Sequence, residues 1–448
     1  MADLLSIGAS GVRTYQTALS TVSENIANVG NSSYSRRTVD VKEVGAPTTL
    51  FTAANAMNGY GSIAAGVNRA SDMFKAEAVR SSGADLARTQ AGSVWLDRIQ
   101  SALTGPDLST SLTNFFNAAK SVAADPASAA PRATMLENAT TVANAFTATG
   151  NALAQVTADL DATADQATAS LSTLATSLAK VNDGLGRAGA NTAQSANLLD
   201  QRDSILDQMS ALVDVNVTFD DAGRATVRGG GSGGPVLVSG TDAATVTYAR
   251  NAAGTVSFAV QSNGNYSVLT PNGGALGGIV DGAQRIADTR DQLNDLATGF
   301  VNGVNALQAQ GRDLNNSAGQ PMFSVGAAPT DVSLALTDPN GIAAAAVGGG
   351  TRDNSNIVQF DTLRSTGGFE NKVTTIVSAN AAALANRNTV ASAQSAIHDG
   401  AVSARDAVSG VDLDTEAVDL LRFQQAYSAS SRVIQVARDT FQTILDIR

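Results

Sequence analysis

The sequence predicts a mainly α protein with an inserted β domain, built as a long helical bundle with coiled-coil-like terminal helices and one or two small antiparallel β lobes. Three observations predict this class. Apolar residues recur at heptad spacing at both ends of the 448-residue chain, a helical period dominates its middle, and the period changes to two after Val215. We therefore expect helices to form the scaffold and the sheets to be additions to it.

The first helix is predicted from Asp3, a suitable N-cap, to Val29, just before a turn-forming run at 30–33. Its interior contains Gly8 and Gly11, each of which costs about 1 kcal/mol relative to Ala. Close approach of another helix would account for these glycines. The larger apolar residues form two neighbouring rows, termed the N-terminal seam: Leu5, Val12, Leu19 and Ile26, with Tyr15, Val22 and Val29 beside them.

The segment 409–448 carries a matching set of apolar residues, termed the C-terminal seam. Its two rows are Leu420, Tyr427, Ile434 and Phe441, with Phe423, Ala437 and Ile444 beside them. Isolated helices of this length are marginal in water and gain stability mainly from tertiary packing. We therefore expect the two ends of the chain to pair with each other and to pack against other copies.

Helical period extends from about residue 68 to 213, with interruptions predicted at Gly105 with Pro106, at Pro126 and Pro131, and at a turn over 182–184. The longest uninterrupted piece, 132–181, would be about 75 Å long at 1.5 Å per residue. One apolar row runs through it at seven-residue spacing: Ala139, Phe146, Leu153, Leu160, Ala167, Leu174 and Val181. A rod of this length is typical of a bundle or a fibre.

Short alternating runs between Val215 and Pro271, bounded by Gly, Asn and Asp, predict a small antiparallel β domain. A helix is then expected over 276–310, a mixed segment with one strand near Val332 follows, and helices return from Phe369. The chain is thus predicted to have four parts. They are the paired terminal helices (1–44 and 409–448), a long-helix body (45–213, 276–311 and 369–408), an inserted β domain (214–275) and a mixed lobe or long loop (312–368).

Composition excludes several classes of function. The formal net charge is −11 and no Lys/Arg cluster occurs, which argues against nucleic acid or an anionic membrane surface as a partner. The chain has no cysteine and one histidine, so Cys/His zinc sites and thiol nucleophiles are excluded. Neither a transmembrane span nor an ordinary cleaved secretory signal is visible, so no membrane partner is expected.

Residues that could carry chemistry have simpler structural interpretations. His398 lies in a predicted helix, without a predicted nucleophile nearby, and is expected to be partly exposed. The glycines of 229–234 match a phosphate-loop spacing but lie between strands, so a hairpin loop is predicted. Asp313, Asn315 and Asn316 lack the later glutamate of a calcium loop and predict a turn.

Two groups of carboxylates have the residue types of catalytic or metal sites. Asp412, Asp414 and Glu416 lie at the start of the last helix, where acidic residues complement the helix dipole and where Asp412 or Asp414 can cap free amides. Asp200 and Asp203 are predicted to lie on a solvated helix surface. We therefore expect no catalytic residue, no cofactor and no metal site.

The ends of the chain also carry motifs. In the segment SENIANVGNSSYSRR from Ser23, six residues match the N-terminal signature of bacterial flagellar axial proteins: Asn25, Ile26, Ala27, Asn28, Tyr34 and Arg36. The C-terminal segment, including Gln-Gln-Ala-Tyr at 424–427, resembles the C-terminal helix of the same family of rod, hook and hook-associated proteins. The helix LLDQRDSILDQMSALVDV and the stretch 291–323 are similar to hook-associated members.

This resemblance implies a structural, non-enzymatic subunit at the junction between flagellar hook and filament. It implies an extracellular location reached through the flagellar export channel, without a cleaved signal peptide. The implied partners are further copies of the chain, the hook protein, hook-associated protein 3 and a cytoplasmic export chaperone. Two alternatives stay open: a hook or filament-type subunit of the same family, and a cell-wall hydrolase, for which the sequence supplies no domain.

Overall fold

The computed structural model describes residues 2–44 and 61–446 and confirms the predicted fold class, mainly α with small antiparallel sheets. The helices are α1 (Ala2–Ala27), α2 (Met73–Thr104), α3 (Leu108–Ala124), α4 (Ala129–Arg187), α5 (Ala193–Leu212), α6 (Gly274–Gln310), α7 (Gln359–Gly367), α8 (Phe369–Ser409) and α9 (Leu413–Asp446). The strands are β1 (Arg37–Glu43), β2 (Ser62–Arg69), β3 (Val215–Phe219), β4 (Ala225–Gly229), β5 (Val236–Ser239), β6 (Asp242–Ala243), β7 (Thr245–Arg250), β8 (Val256–Ser262), β9 (Asn265–Leu269), β10 (Phe323–Val325) and β11 (Val332–Leu334). The predicted cap at Asp3 concerns a side chain outside the described residues.

Helix α4 is the longest element, with 59 residues and a length of about 88 Å. Its predicted apolar row is buried, apart from Leu174, which is half-buried. Two predicted interruptions are wrong. Pro131 lies in the first turn, where its missing N–H has no intrahelical partner to lose. Asn182 continues the helix because its buried amide donates to the carbonyls of Ala225 and Gly240.

An aromatic cluster forms the centre of the body. Its members are Phe115 and Phe116 on α3, Phe146 on α4, Phe300 on α6, Phe323 on β10, Phe360 on α7 and Phe369 on α8. Neighbouring rings lie 5.3–6.1 Å apart between centroids. Burying aromatic side chains removes a large apolar area from water, so this cluster joins four helices of the body (α3, α4, α6 and α8) to β10 and α7 of the mixed lobe.

The insertion between α5 and α6 contains two antiparallel sheets, in the orders β3-β4-β5-β6 and β7-β8-β9. The glycine-rich run at 229–234 connects β4 to β5 as the predicted hairpin loop. The second sheet packs on α4, where Ser172 Oγ accepts a hydrogen bond of 2.9 Å from the amide of Val246. The insertion is therefore attached along the C-terminal half of the long helix.

The mixed segment after α6 forms a second small lobe at the other half of α4. It contains the β10–β11 hairpin, a short 3-10 helix and α7. The buried Arg132 of α4 donates to the carbonyl of Ile342 at 2.8 Å. Asp313 accepts from the amides of Asn315 and Ser317, which confirms the predicted turn.

A hairpin of β1 and β2 follows the first helix. The strands pair from Arg37 opposite Arg69 to Glu43 opposite Ser62. The sequence predicts a weakly structured connection over 45–66, but its last residues form β2, because pairing with β1 satisfies their backbone groups. Residues 45–60 lie outside the described part of the chain.

Candidate assembly interface

Helices α1 and α9 pack side by side and antiparallel. Gly8 lies against Ile434 and Gly11 against Ser430, so closely that added Cβ atoms would meet these side chains at 2.7 and 2.6 Å. Further along, the rings of Tyr15 and Phe423 lie 6.3 Å apart between centroids. The two glycines therefore permit the close helix approach that the sequence predicted.

The N-terminal seam is not the centre of the buried face of α1. Val22 is buried, Val12, Tyr15, Leu19 and Ile26 are half-buried, and Leu5 and Val29 are exposed. The buried face consists mainly of small and polar residues: Gly8, Gly11, Thr14, Ala18, Thr21 and Asn25. The reason is that α1 is covered on two sides, by α9 and by the β1–β2 hairpin, where Thr14 Oγ1 donates to the carbonyl of Ser62 at 2.9 Å. Small residues allow both neighbours to approach.

The C-terminal seam is only partly buried. Ala437 is buried, Leu420, Phe423 and Ile434 are half-buried, and Tyr427, Phe441 and Ile444 are exposed. The side of α9 that faces α1 follows the second of the two predicted rows, with two polar members that the seam did not include: Glu416, Phe423, Ser430 and Ala437. This row has a fully buried carboxylate at its first position, and that carboxylate belongs to a polar network.

We term this network the terminal junction. Its centre is Asn25, which is fully buried. The Asn25 amide donates to the carbonyl of Arg37 at 2.8 Å and to Glu416 Oε2 at 2.9 Å. Its oxygen accepts from the Tyr34 hydroxyl at 2.7 Å and from the amide of Arg37 at 3.0 Å. A single side chain thus connects α1, the turn after it, β1 and α9.

Glu416 does more than complement the dipole of the last helix, which is the role predicted for it. Its carboxylate is fully buried and accepts from Arg36 Nε at 2.6 Å, and Arg36 Nη2 also contacts Asp419 at 3.3 Å. The capping role falls to Asp412, which accepts from the amide of Thr415 at 2.8 Å. Hydrogen bonds to the Asp412 carboxylate lower its pKa.

The prediction that Asp200 and Asp203 lie on a solvated helix surface is wrong. Arg37 of β1 contacts Asp200 at 2.6 Å, and Arg69 of β2 contacts Asp200 and Asp203 at 2.7 Å each. Asp200 and both arginine side chains are buried or nearly so. Buried charges require such partners because desolvation penalises the charged form. The hairpin is therefore ion-paired to α5, which belongs to the body.

Tyr34 contributes a neutral hydroxyl to the terminal junction. Burial raises its pKa to about 12, although the nearby Arg37 guanidinium, 4.6 Å from the ring centroid, acts in the opposite direction. The phenol therefore stays protonated over the physiological range and can donate to Asn25. Of the other three motif residues, Ile26 is half-buried, Ala27 is exposed and Asn28 makes local contacts, donating to the carbonyl of Glu24 at 2.9 Å.

The remaining candidate residue, His398, is partly exposed on α8, as predicted, and its Nδ1 lies 3.2 Å from Ser82 Oγ. Over residues 2–44 and 61–446, no group of His, Asp and Glu side chains is arranged to hold a metal ion. Within the same residues, no helix combines the length and apolar character needed to cross a bilayer.

Sequence reasoning missed Glu416, Arg37 and Asp200 as members of the junction. A usable signal existed for Glu416, because it stands seven residues before Phe423 in the same heptad row. The position of Glu416 in this heptad row indicates that its side chain faces α1, whereas its position in the first turn of the helix does not. For the Arg37–Asp200 pair, 163 residues apart, the sequence contains no comparable local signal.

The described geometry can be compared with known proteins. Residues 96–323 match the family model described as the flagellar hook-associated protein FlgK helical domain, and residues 404–447 match that of the flagellar basal body rod FlgEFG protein C-terminal. The first match covers α3 to α6 completely, with part of α2, and the second covers α9 with Glu416.

Curated relatives carry the name flagellar hook-associated protein 1. The chain is 28% identical to the Salmonella typhimurium protein over 337 residues and to the Escherichia coli protein over 345 residues, in each case over 73% of this chain and 60% of the relative. The Bacillus subtilis protein is 24% identical over 309 residues, which cover 66% of this chain and 54% of the relative. The matched region thus spans less than two thirds of the length of these relatives.

Among solved structures, the flagellar hook junction protein FlgK from Burkholderia pseudomallei has a similar fold, with a TM-score of 0.50 and 23% identity over 56% of this chain and 47% of that one. The helical-domain match covers just over half of the 448 residues, and the structural likeness agrees with it. The chain therefore belongs to the FlgK family of flagellar hook-associated proteins.

Proposed function

We propose that this protein is a structural subunit of the junction between the flagellar hook and filament. The observation that carries the proposal is the terminal junction, in which Asn25 and Glu416 join the two ends of the chain and Asp200 ties them to the body. A subunit built this way presents its terminal helices as one unit with a defined orientation. FlgK-family proteins are structural components of the flagellum, and this chain shares their helical domain.

The assembly contacts are proposed to lie on the sides of the terminal helices that the fold leaves exposed. On α9, Val418, Leu421 and Val436 point away from the row that contacts α1, and each is more than half exposed. On α1, Leu4 and Leu5 are nearly half exposed. Apolar groups in such positions favour packing against neighbouring copies through repeated heterologous contacts, which build rings or tubular layers.

The division of the chain follows from this role. We propose that the β1–β2 hairpin belongs with the terminal helices, with the boundary after Arg69 instead of at residue 45. Its pairing across 37–43 and 62–69 and its contact with α1 support this assignment. The body then covers 70–213, 276–311 and 369–408. The β domain over 214–275 and the mixed lobe over 312–368 keep their predicted bounds.

The proposed neighbours are those that the family resemblance implies: the hook protein on one side, hook-associated protein 3 on the other, and a cytoplasmic chaperone before export. The proposed location is extracellular, at the hook–filament junction, reached by flagellar export. Nucleic acid and membranes are not proposed as partners, because the chain is acidic and carries no basic cluster.

An enzymatic role is not proposed. A cleft of about 630 Å³ lies between the turn after α1 and helices α4 and α5, and Glu24 and Asp200 are among its lining residues. Both carboxylates contact Arg37, at 3.5 and 2.6 Å. A glycosidase requires one free carboxylic acid and one free carboxylate beside the substrate, and these two are held by a guanidinium instead. The geometry therefore favours structural anchoring.

Complementation of a strain that lacks this gene tests the proposal. We expect that strain to shed its filament subunits into the medium, and the full-length chain to restore attached filaments and motility. Chains lacking 1–35 or 409–448 should be exported poorly or fail to incorporate. Motile cells with attached filaments from either truncation would contradict the role of the terminal helices.

A matched pair of point variants separates assembly from folding. Val436→Arg on α9 and Val347→Arg in the mixed lobe each place a charge at a similarly exposed valine, 62% and 69% exposed. We expect the first to reduce filament attachment and the second to leave it unchanged, with equal thermal stability of the purified proteins. Localisation along the whole hook or filament would instead support the sibling role as a hook or filament-type subunit.

A further inference from the structure

The outermost strand of the inserted β domain, β9, has an uncovered edge. It is the last strand of the β7-β8-β9 sheet, and its first four residues are all exposed. Among them are two large side chains, Tyr266 at 67% and Val268 at 74% exposure. An edge strand of this kind offers unpaired N–H and C=O groups to any strand that can approach it.

The outer face of this sheet is also free of charge. The pairing of the three strands places eight described side chains on it, none of them ionisable at neutral pH: Thr245, Thr247, Ala249, Ser257, Ala259, Gln261, Tyr266 and Val268. Natural edge strands are usually protected by lysine, by proline or by inward-pointing charges. β9 has none of these, although the chain as a whole carries a net charge of −11. Two copies can therefore approach at this edge without like charges facing each other.

The hairpin geometry determines which backbone groups are free. Asn263 and Gly264 form a two-residue turn with φ of 50° and 79°, and Ser262 pairs with Asn265. In such a hairpin the residues next to the turn exchange hydrogen bonds, and bonded pairs then alternate. Ser267 consequently bonds to β8, whereas the N–H and C=O groups of Tyr266 and Val268 point outward from the sheet.

We propose that β9 pairs antiparallel with β9 of a second copy, about a two-fold axis at Ser267. In this register Tyr266 of each copy lies opposite Val268 of the other, and the four residues exchange four backbone hydrogen bonds. Aromatic and β-branched side chains are favourable cross-strand partners. The result is one continuous six-stranded antiparallel sheet with an uncharged outer face.

The β9–β9 contact differs in symmetry from the contacts proposed at the hook–filament junction. A two-fold contact is isologous, whereas neighbours in a ring or tube use heterologous contacts. The β9 pair would therefore join two free subunits, or subunits of two different assemblies. A single strand edge is also smaller than the interface of a stable dimer, so the association should be weak and depend on concentration.

The absence of cysteine from the chain provides a specific test. Residues that face each other across a non-hydrogen-bonded antiparallel pair have Cα atoms about 4.5 Å apart, within disulfide range. Purified Ser267→Cys should therefore form a disulfide-linked dimer under oxidising conditions. Thr247→Cys is the matched control, since it lies on the exposed face of β7, at the opposite edge of the same sheet, and should stay monomeric.

A second substitution tests the pairing itself. Val268→Lys in the Ser267→Cys background introduces two like charges into the paired edge and should abolish the cross-linked dimer. Sedimentation of the chain without substitutions should show a dimer whose population rises with concentration. Far-UV circular dichroism verifies that the variants are folded. Two results would overturn the proposal. One is equal cross-linking at positions 267 and 247, and the other is a folded Ser267→Cys protein that stays monomeric because the edge binds a different protein.

Discussion

In the aromatic core of the body, the rings of seven phenylalanines from six elements contact one another. In the terminal junction, the buried groups are an amide, guanidinium groups and carboxylates, centred on Asn25, Arg37 and Glu416. Apolar burial is non-directional and contributes most of the stability of a fold. A buried polar network contributes little net free energy but is costly when one partner is missing, and it tolerates few alternative arrangements.

The two regions thus have different tasks. The body can hold its shape through apolar packing alone, whereas the position of the terminal helices depends on complementary polar groups from segments far apart in the chain. For a subunit whose ends make the proposed assembly contacts, an exact orientation of α1 and α9 is more useful than a large stability. Variants in each region should separate these properties.

The largest effect is expected in the aromatic core. Phe300→Ala should lower the free energy of unfolding by about 3–5 kcal/mol, because it removes a fully buried ring and leaves a cavity among its neighbours. Chemical denaturation of the purified chain measures the loss. Phe74→Ala is the control, since this ring is 86% exposed and its removal should change stability by less than about 0.5 kcal/mol. Equal losses would show that the aromatic cluster is not the main source of stability.

The second-largest effect is expected to be confined to the terminal helices. Glu416→Ala removes the partner of Arg36 and Asn25 in a buried site, and we expect a loss of about 3 kcal/mol in the stability of the terminal helices. Hydrogen exchange should accelerate in α1 and α9 and stay unchanged in α4. Asp414→Ala, an exposed carboxylate on the same helix, serves as the control. Faster hydrogen exchange throughout the body would mean that the terminal junction and the aromatic core unfold as one unit.

A smaller effect tests the close helix approach. Gly11→Ala places a methyl group 2.6 Å from Ser430 Oγ and should destabilise the α1–α9 pair by about 1 kcal/mol, despite the better helix propensity of Ala. Gly400→Ala on α8 has no neighbouring atom within 4 Å and should stabilise its helix by about 0.5–1 kcal/mol. Thermal melts of the two variants should therefore shift in opposite directions, and shifts of the same sign would contradict the steric explanation.

The smallest effect concerns pH. Burial raises the pKa of Asp207 from 3.8 to about 6, although Arg80 and Arg405 oppose the shift, with Asp203 and His398 also nearby. The folded state therefore holds this proton more tightly than the unfolded state, and stability should fall as the pH rises from about 4 to about 6. Because the carboxyl is 36% exposed, we expect less than about 1 kcal/mol.

Asp207→Asn should remove that part of the pH dependence, as measured by urea unfolding at several pH values. His398→Gln is the control, because it removes the imidazole near Asp207 and leaves the carboxyl in place. If the slope between pH 4 and 6 persists in Asp207→Asn and disappears in His398→Gln, the histidine and not the carboxyl is responsible.

Much of the fold could be predicted from periodicity. The row from Ala139 to Val181 identified α4 because its spacing is regular, and alternation identified the strands after Val215. Helix ends were less predictable, since Asn182 stays helical through bonds to residues that lie far along the chain. At the terminal junction, the motif residues Asn25, Tyr34 and Arg36 were singled out by resemblance.

Among the partner carboxylates, Glu416 could have been found from its heptad row. Asp200, the partner of Arg37, could not, because an isolated Asp has the same sequence signature whether it is solvated or ion-paired. Asp200 acquires its partners only when β1 and β2 dock on α5. The seams illustrate a related difficulty. Heptad analysis weights large apolar residues, whereas the contact between α1 and α9 is centred on small ones such as Gly8 and Ser430.

The length of the uninterrupted α4 sets the distance between the attachment points of its two lobes. Arg132 holds the mixed lobe near one end and Asn182 holds the β insertion near the other, 50 residues further on, which corresponds to a spacing of about 75 Å. Deleting one heptad between them would bring the lobes about 10.5 Å closer and rotate one relative to the other by only about 20°. Within this family, the radial or axial reach of a subunit could thus change in steps of seven residues while each lobe keeps its own attachment to the helix.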